Sequence, residues 1–327
     1  MAKVGFVAKA EKLAAMKSPV LLLTFNRPDT TQQVISALRL VQPSHIFVFN
    51  DGPRSSAPDD SRKVAETRAL IDREIDWPAR VEKLYSEENR GIVNGPPDAI
   101  DWFFSCISEG VILEDDCVPH VDFLYFCDEL LDRYRDDDRV WVISGDNSLK
   151  LPITEPYSYG FISDPNPWGW ASWSRAWRHH DRTMSDWASF RRSREFRRLV
   201  PDIVERSRRR HLFDSKPVSS WAYRWALTVL RNRGLVAVPR GNLVSNIGFN
   251  RPDAHHTFGS SPQANAETFD IFPIVHPPAV EKDPQTQFEW VERGLRVRRL
   301  RPSYRFRKSR RRVIKSFLYL FRGKRTP

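Results

Sequence analysis

The sequence predicts an α/β protein with a mostly parallel mixed sheet and helices on both faces of that sheet. Short apolar runs typical of buried strands alternate with helical patterns through residues 19–144. The strand predicted over residues 110–113 ends directly in three acidic residues, at the edge where such sheets bind ligands. With 327 residues, 40% of them apolar and 28% charged, the chain allows one large or two modest domains with a substantial core.

The first half of the chain supplies the alternation. Its first strand is the run PVLLLTF, and a helix begins just after it, at Asp29 or Thr30. The predicted strands cover residues 19–25, 45–49, 81–85, 110–113 and 140–144. The predicted helices cover residues 29–40 and 59–75, an aromatic stretch ending near residue 110, and residues 121–134.

The alternation stops after Ser144. Residues 151–177 are rich in Pro, Gly and Trp, which predicts long loops over the open edge of the sheet, where specificity usually resides. A polar helical stretch over residues 175–210 carries 12 Arg against 5 acidic residues. A packed helix over 221–230 and short strands over 235–238 and 243–244 follow before an irregular segment.

Charge and cysteine content exclude several classes of protein. The formal net charge is +11, but 14 basic and no acidic residues lie from Arg296 onwards, so the rest of the chain is slightly acidic and is not a general nucleic-acid binder. Three cysteines without a CxxC pair indicate neither a disulfide framework nor a structural zinc site. With no apolar run long enough to span a bilayer, a cytoplasmic location is expected.

The strongest chemical signal is the acid triplet Glu114, Asp115 and Asp116, directly after the fourth predicted strand. Three adjacent carboxylates repel one another and call for a compensating cation. At the carboxyl end of a parallel strand, hard oxygen ligands suit Mn²⁺ or Mg²⁺ held together with substrate phosphates. The alternative is a solvated acidic turn.

The first two strand ends add Arg27 and Asp51 at the same predicted edge. Arg27 is a candidate for binding a diphosphate or nucleotide, and Asp51 for accepting a hydrogen bond from a base N–H; alternatively, both are ordinary loop residues. Gly91, in ENRG, indicates a tight turn. The chain lacks a GxGxxG after strand one, a GxxxxGK[ST] and a GxSxG, which excludes dinucleotide, P-loop and hydrolase-elbow sites.

Taken in order, these motifs resemble the GT-A glycosyltransferases. The resemblance covers residues 18–260 and rests on PVLLLTFNRPDTTQQVISAL, IFVFNDGPR, ENRGIVNG, GVILEDDCVPHVDFLYFCDELL and the Trp168-Gly169-Trp170 loop. Its EDD form of the acidic DXD-type motif is most similar to the N-acetylglucosaminyltransferase branch and bacterial family 2-like relatives. The resemblance implies a single Rossmann-like GT-A domain, a UDP-sugar donor and, for that branch, inversion at the anomeric carbon.

The resemblance also implies roles for individual residues. Asp116 would be the metal ligand, with Asp115 and Glu114 contacting ribose and sugar. Arg27 would contact the nucleotide and Asp51 the uracil. The metal would neutralise the departing UDP.

The catalytic base departs from the family pattern. The animal branch carries an acidic pair just before a helical Trp, whereas the matching stretch here begins Ser219-Ser220-Trp221. We therefore predict Asp214 as the substitute base and Asp164 as the next candidate, although a loop Asp is usually a turn former. The stereochemical outcome stays open.

Two further sets of side chains are candidates. His256, which the sequence does not distinguish from His255, is a candidate metal ligand, the alternative being a surface histidine. Trp170, together with Trp168, is predicted to stack on a sugar, whereas the default interpretation for Trp173 and Trp177 is a place in the core.

The chain is predicted to divide into an N-terminal extension, the GT-A domain, an irregular segment and a basic amphipathic tail, over residues 1–17, 18–260, 261–295 and 296–327. In the tail, apolar positions 314, 317, 318 and 321 share one helical face, so it is suited to an anionic membrane surface. A disordered tail or a helix docked on the body are the alternatives. Phosphate contacts alone would not make it a specific nucleic-acid binder.

These features together predict a metal-dependent glycosyltransferase. It would move a sugar from a UDP-type nucleotide-sugar donor to a glycan or lipid-linked acceptor in cell-surface polysaccharide synthesis, peripherally at the inner membrane. One alternative is a nucleotidyltransferase that makes a nucleotide-sugar, although strand one lacks the Gly-rich signature. The other is a non-catalytic membrane- or polyanion-binding protein on a degenerate transferase scaffold.

Overall fold

The computed structural model describes residues 16–215, 220–251, 261 and 263–303. An eight-stranded sheet in the order β3-β2-β1-β4-β8-β6-β9-β7 and a two-stranded sheet, β10-β5, organise this part of the chain. The strands are β1 (Val20–Thr24), β2 (His45–Asn50), β3 (Arg80–Tyr85), β4 (Glu109–Glu114), β5 (Cys117–Pro119), β6 (Val140–Ser144), β7 (Tyr159–Ile162), β8 (Trp170–Trp173), β9 (Leu235–Pro239) and β10 (Val244–Asn246).

The large sheet is mixed and mostly parallel, as predicted. Strand β1 pairs in parallel with β2 and β4, β2 with β3, and β6 with β9. Strand β8 is antiparallel to both β4 and β6, and β7 is antiparallel to β9. Because β8 opposes both of its neighbours, β4 and β6 point the same way. The carboxyl ends of β1 to β4, β6 and β9 therefore meet at one edge of the sheet.

Helices cover both faces of this sheet. They are α1 (Pro28–Leu38), α2 (Asp60–Glu74), α3 (Gly91–Cys106), α4 (Val121–Arg133), α5 (Ser174–Trp177), α6 (Trp187–Phe190), α7 (Arg194–Leu199), α8 (Ile203–Ser215), α9 (Ala222–Arg231) and α10 (Pro284–Glu289), with a π turn at Trp290–Gly294 and a 3-10 turn at Val297–Arg299. Side chains alternate along β1, so Val20 and Leu22 join one buried cluster with α1 and α4, and Leu21 and Leu23 join a second with α3 and α9. The chain is thus a Rossmann-like α/β fold.

The Trp-rich segment differs from the prediction. Residues 170–173 form β8, which fills the gap between β4 and β6, and only Ser174–Trp177 is helical. Strand β7 also arises within the segment predicted as loop. Trp173 and Trp177 are buried in the core, as expected.

The Arg-rich stretch after α5 builds a third, smaller cluster. Phe196, Phe213 and Leu227, on α7, α8 and α9, pack there with Trp187. Among the described residues, no helix combines the length and the apolar character needed to cross a membrane. The N-terminal extension up to residue 15, and residues 304–327 of the predicted tail, lie outside the described residues.

Candidate functional site

The candidate site lies where the carboxyl ends of β1, β2 and β4 meet. In the register of the sheet, Thr24 is opposite Asn50, and Leu23 is opposite Glu114. Arg27 follows the end of β1 by three residues, and Asp115 and Asp116 continue directly from β4. The structure therefore brings Arg27 and the acid triplet together.

Arg27 contacts two of the three acids. Its Nη1 lies 2.9 Å from Oδ2 of Asp116 and 3.8 Å from Oδ1 of Asp115. The backbone N–H of Phe25 donates a hydrogen bond of 3.1 Å to Oδ2 of Asp115. Both aspartates are buried, and a guanidinium and a backbone amide hold them at the edge of the sheet.

The electrostatics of the triplet favour a further positive charge. Burial, Asp116 and Asp115 raise the pKa of Glu114 to about 8, and Arg27 only partly opposes them. Burial also raises the pKa of Asp116, against the charge of Arg27. Carboxylates whose charged form is disfavoured in this way gain from a cation, which stabilises the ionised state.

The donor set fits a hard divalent cation. Glu114, Asp116 and Cys117 each offer a ligand atom, and these atoms lie within 4.8 Å of one another. The Cys117 Sγ donates to Oδ1 of Asp116 at 3.5 Å, and burial holds the pKa of this thiol well above its ordinary value. A protonated thiol is a poor ligand, so the two carboxylates would hold the ion, as suits Mg²⁺ or Mn²⁺ shared with substrate phosphates.

The loop after β10 packs directly on Asp116, and its key residue is Gly248. The Ile247 N–H donates to the carbonyl oxygen of Asp116 at 2.8 Å, and the Gly248 N–H donates to Oδ1 of Asn246 at 2.9 Å. A Cβ on Gly248 would lie 2.0 Å from Oδ2 of Asp116. Any side chain here would displace the carboxylate, and no sequence pattern predicted this close approach.

Asp51 forms a turn instead of presenting a free acceptor. Its Oδ1 accepts hydrogen bonds from the N–H groups of Gly52 (2.9 Å) and Arg90 (2.8 Å). Its Oδ2 accepts from the N–H of Gly91 (2.9 Å) and the side chain of Asn89 (3.2 Å). Four donors occupy the roughly four acceptor positions of a carboxylate. The uracil contact expected of Asp51 stays a prediction, while the φ of +70° at Gly91 is the tight turn predicted there.

Trp170 lies inside the core. It is 1% exposed, and its ring centroid lies 6.0 to 6.1 Å from those of Trp177, Trp221 and Trp225. No face of its ring is left for a sugar.

Trp168 instead remains partly exposed near the acids. Its ring meets that of Phe249 edge-on at 5.5 Å, and Phe249 is next to Gly248 in the chain.

Asp164 is held in a buried ion pair. Both of its oxygens accept from the guanidinium of Arg209, at 2.6 and 2.9 Å, and Oδ2 also accepts from Gln287 at 3.0 Å. Burial raises the pKa of Asp164, but Arg209 outweighs this and holds it below the ordinary value. Strand β7 runs antiparallel to β9, so its end points away from the acidic edge. These contacts make Asp164 a structural residue.

Asp214 is placed on α8 beside the third cluster. Its Oδ1 accepts hydrogen bonds from Nε1 of Trp187 at 2.8 Å and from Nη1 of Arg191 at 2.7 Å. These contacts tie α8 to α6. His255, His256 and Ser219 lie outside the described residues.

Sequence reasoning missed Asp146, which follows β6 by two residues. Its Oδ2 accepts from Nδ2 of Asn166 at 2.6 Å, and its Oδ1 from the N–H of Ser148 at 3.2 Å. Burial raises its pKa. The Gly145 N–H donates to the carbonyl of Gly169 at 2.8 Å, which joins this strand end to the Trp168 loop. The sequence could have pointed to Asp146, because Gly145-Asp146 directly follows the strand predicted over residues 140–144.

A second acidic group surrounds the start of α4. Nδ1 of His120 accepts from the N–H of Asp122 at 3.2 Å and caps this helix. Asp122 in turn accepts from the N–H of Ile271 at 2.9 Å, and Asp270 completes the group. Its contacts fasten residues 270–272 to the body of the protein.

No family model matches this chain, and no curated protein matches it. Solved structures with a similar fold include HddC from Yersinia pseudotuberculosis, with a TM-score of 0.30, 12% identity, and coverage of 48% of this chain and 77% of that one. The 4-diphosphocytidyl-2C-methyl-D-erythritol synthase of Anaerococcus prevotii has a TM-score of 0.31, 9% identity, and coverage of 52% and 77%. A mycobacterial protein has a TM-score of 0.29, 18% identity, and coverage of 51% and 57%. At these identities the likeness concerns the fold alone.

Proposed function

We propose that this chain is a metal-dependent glycosyltransferase that uses a nucleoside-diphosphate sugar of the UDP type. The observation that carries the proposal is the acid triplet at the end of β4, packed against Arg27. The pKa of Glu114 is raised to about 8 by burial and by the neighbouring acids, which is the electrostatic state that a divalent cation relieves.

Donor binding uses both signs of charge at this edge. Asp116 and Glu114 would hold Mn²⁺ or Mg²⁺, which when bound neutralises charge on the departing nucleoside diphosphate. Arg27 now pairs with Asp116 and is placed to bind a diphosphate oxygen. Asp115, oriented by the Phe25 N–H, is the candidate partner of a ribose or sugar hydroxyl.

Sugar recognition falls to Trp168 and Phe249 in place of Trp170. Both rings are partly exposed, and the loop that carries Phe249 rests on Asp116. An aromatic face beside the metal ligands suits the apolar side of a pyranose.

For the catalytic base we propose Asp146 instead of Asp164 or Asp214. It lies at the same edge as the triplet, and its hydrogen-bond donors are neutral, so it keeps the basicity that Arg209 removes from Asp164. A carboxylate there would take the proton from an acceptor hydroxyl, the acceptor being a glycan or a lipid-linked sugar. Asp146→Asn should lower kcat about 100-fold and leave UDP binding unchanged.

Asp214→Asn is the matched control for this base, since it removes the same charge from α8. It should keep kcat within about twofold, as a surface substitution does. Full activity of Asp146→Asn in a transfer assay would remove Asp146 from the mechanism.

The direct test of the donor class is a thermal-shift panel of nucleoside diphosphates and their sugars, with and without Mn²⁺. A ligand at 100 times its dissociation constant stabilises by about 2.7 kcal/mol. We expect metal-dependent stabilisation by UDP and a UDP-sugar. No response to any nucleotide would reject the donor class.

Nucleotidyl transfer is the second candidate, because an acidic edge with one arginine would hold a nucleoside triphosphate as readily as a diphosphate sugar. Against it, α1 begins at Pro28 directly after Arg27, so β1 is not followed by a Gly-rich phosphate loop. Product analysis separates the two. Release of pyrophosphate from a nucleoside triphosphate and a sugar phosphate would identify a nucleotidyltransferase, and release of UDP from a UDP-sugar a glycosyltransferase.

A further inference from the structure

A basic surface, here called the arginine platform, lies on the helical second half of the protein and contains none of the residues of the proposed donor site. It combines helix α7 and the residues before it with the C-terminal 3-10 turn. Its six exposed arginines are Arg192, Arg194, Arg197, Arg198, Arg298 and Arg299.

Direct contacts join the two segments of the platform. Nη1 of Arg301 lies 3.0 Å from Oδ2 of Asp202, and Nε of Arg208 donates to the carbonyl oxygen of Leu295 at 2.9 Å. Residues 295–301 are therefore held against the chain just after α7. These contacts join the turn that carries Arg298 and Arg299 to the segment that follows α7, although the two are about 100 positions apart in the sequence.

Acidic residues do not neutralise the platform. Within residues 191–210, Asp202 is paired with Arg301 and Glu205 with Arg209, which leaves Glu195 as the exposed acid of this segment. Across the described ranges, the six platform arginines have no ion pair with a carboxylate. The platform therefore presents a strong positive potential to solvent.

Two apolar side chains are exposed in the middle of this charge. Ile203 is 72% exposed and Leu300 is 39% exposed. Each is adjacent in sequence to one partner of the Asp202–Arg301 ion pair, which joins the two segments of the platform. Exposed aliphatic groups on a surface that also carries exposed arginines are the combination that binds the interface of an anionic bilayer.

We propose that the arginine platform docks the protein on an anionic membrane surface. The guanidinium groups would bind lipid phosphates, and Ile203 and Leu300 would enter the boundary between headgroups and acyl chains. The described chain ends at Ser303, next to Arg301, and the following 24 residues contain 10 Lys or Arg. The surface is distinct from the proposed donor site.

A membrane fits this surface better than a single-stranded nucleic acid does. Nucleic-acid grooves pair arginines with aromatic rings that stack on bases, and the exposed apolar groups of the platform are the aliphatic Ile203 and Leu300. Such side chains gain more from insertion into lipid than from contact with phosphates.

The test is co-sedimentation of the full chain with phosphatidylcholine vesicles, with and without phosphatidylglycerol. Binding should require phosphatidylglycerol and weaken with salt. Arg197→Gln/Arg198→Gln should lower the partition coefficient about 25-fold, at roughly fivefold for each arginine lost. Arg62→Gln/Arg80→Gln removes the same charge near the β3 edge and should have little effect.

Ile203→Ser distinguishes binding to a membrane from binding to polyanions in general. It should weaken binding to phosphatidylglycerol vesicles several-fold and leave binding to heparin unchanged. The proposal is overturned if Arg197→Gln/Arg198→Gln binds these vesicles like the unaltered chain, or if Ile203→Ser has no effect on them. The far-ultraviolet circular dichroism and UDP-induced stabilisation of each variant should stay unchanged, so failure of this proposal is distinct from failure of the proposed donor site.

Discussion

Two arginine–aspartate pairs, Arg27–Asp116 and Arg209–Asp164, contain buried aspartates whose pKa values are shifted in opposite directions. Each pair has an N–O contact shorter than 3 Å. Burial raises the pKa of Asp116 despite Arg27, whereas Arg209 holds the pKa of Asp164 below its ordinary value.

The surroundings of each pair explain the difference. Arg209 lies between Asp164 and Glu205, Gln287 donates to Asp164, and the charge of Lys282 also lowers the pKa of Asp164, so two cations accompany two carboxylates there. At the sheet edge the excess is negative, because Asp116 is flanked by Glu114 and Asp115. A balanced pair holds the fold, while a cluster with surplus charge of one sign is poised to bind a ligand of the other sign.

The largest effect expected from this comparison is the loss of stability in Asp164→Asn. The change leaves Arg209 buried with Glu205 as its remaining anionic partner, and breaking a buried pair in this way costs about 3–5 kcal/mol. Chemical denaturation at neutral pH measures this loss. Replacing all three charged residues, in Asp164→Leu/Arg209→Met/Glu205→Gln, should recover most of it, since no charge is left unpaired. A loss of stability under 1 kcal/mol in Asp164→Asn would show that the Arg209–Asp164 pair does not hold the fold together.

Asp116→Asn should lose ligand binding and keep the stability of the folded protein, in contrast to Asp164→Asn. The asparagine keeps the shape of the side chain and removes one of the crowded negative charges, so the ligand-free protein should stay within about 1 kcal/mol of the original stability. The stabilisation of about 2.7 kcal/mol by UDP and Mn²⁺ at 100 times the original dissociation constant should disappear. Unchanged stabilisation by UDP and Mn²⁺ would mean that Asp116 is not a metal ligand.

The acidic edge of the sheet was predictable because the residues that define it are neighbours in the sequence. An apolar run followed by Glu114-Asp115-Asp116 identifies both the strand and the end of it that carries the acids. The partners of Asp164 and Asp51 were not predictable in this way. Arg209 reaches Asp164 across 45 positions, and the donors to Asp51 come from a turn at residues 89–91.

The Trp-rich segment was misjudged for a related reason. The Pro, Gly and Trp content predicted loops, but Trp170 to Trp173 pairs with β4 and β6, and this long-range pairing overrides the local pattern. Burial of Trp170 follows from its place on a central strand, which sequence spacing does not reveal.

Gly248→Ala tests the metal site without changing any charge. The added Cβ would lie 2.0 Å from Oδ2 and 2.8 Å from Cγ of Asp116, so the carboxylate must leave its present position. We expect the affinity for Mn²⁺ to fall about tenfold, as when the orientation of a metal ligand is disturbed. Gly160→Ala is the matched control, because its Cβ meets Ile153 at an ordinary 3.4 Å. Equal Mn²⁺ affinity in both variants would show that the close approach of Gly248 does not affect the metal site.

The smallest effect expected is a change with pH in the stability deficit of Asp164→Asn. The folded-state pKa of Asp164 lies below the ordinary 3.8, so the unfolded chain takes up this proton first as the pH falls. The stabilisation by the ionised carboxylate is therefore complete above 3.8 and is lost as the pH falls through the folded-state pKa. Asparagine does not titrate, so the difference in unfolding free energy between the two proteins should stay constant near neutrality and narrow below 3.8. A deficit that instead widens as the pH falls from neutrality to 5 would show a raised pKa, and Asp164 would then resemble Asp116.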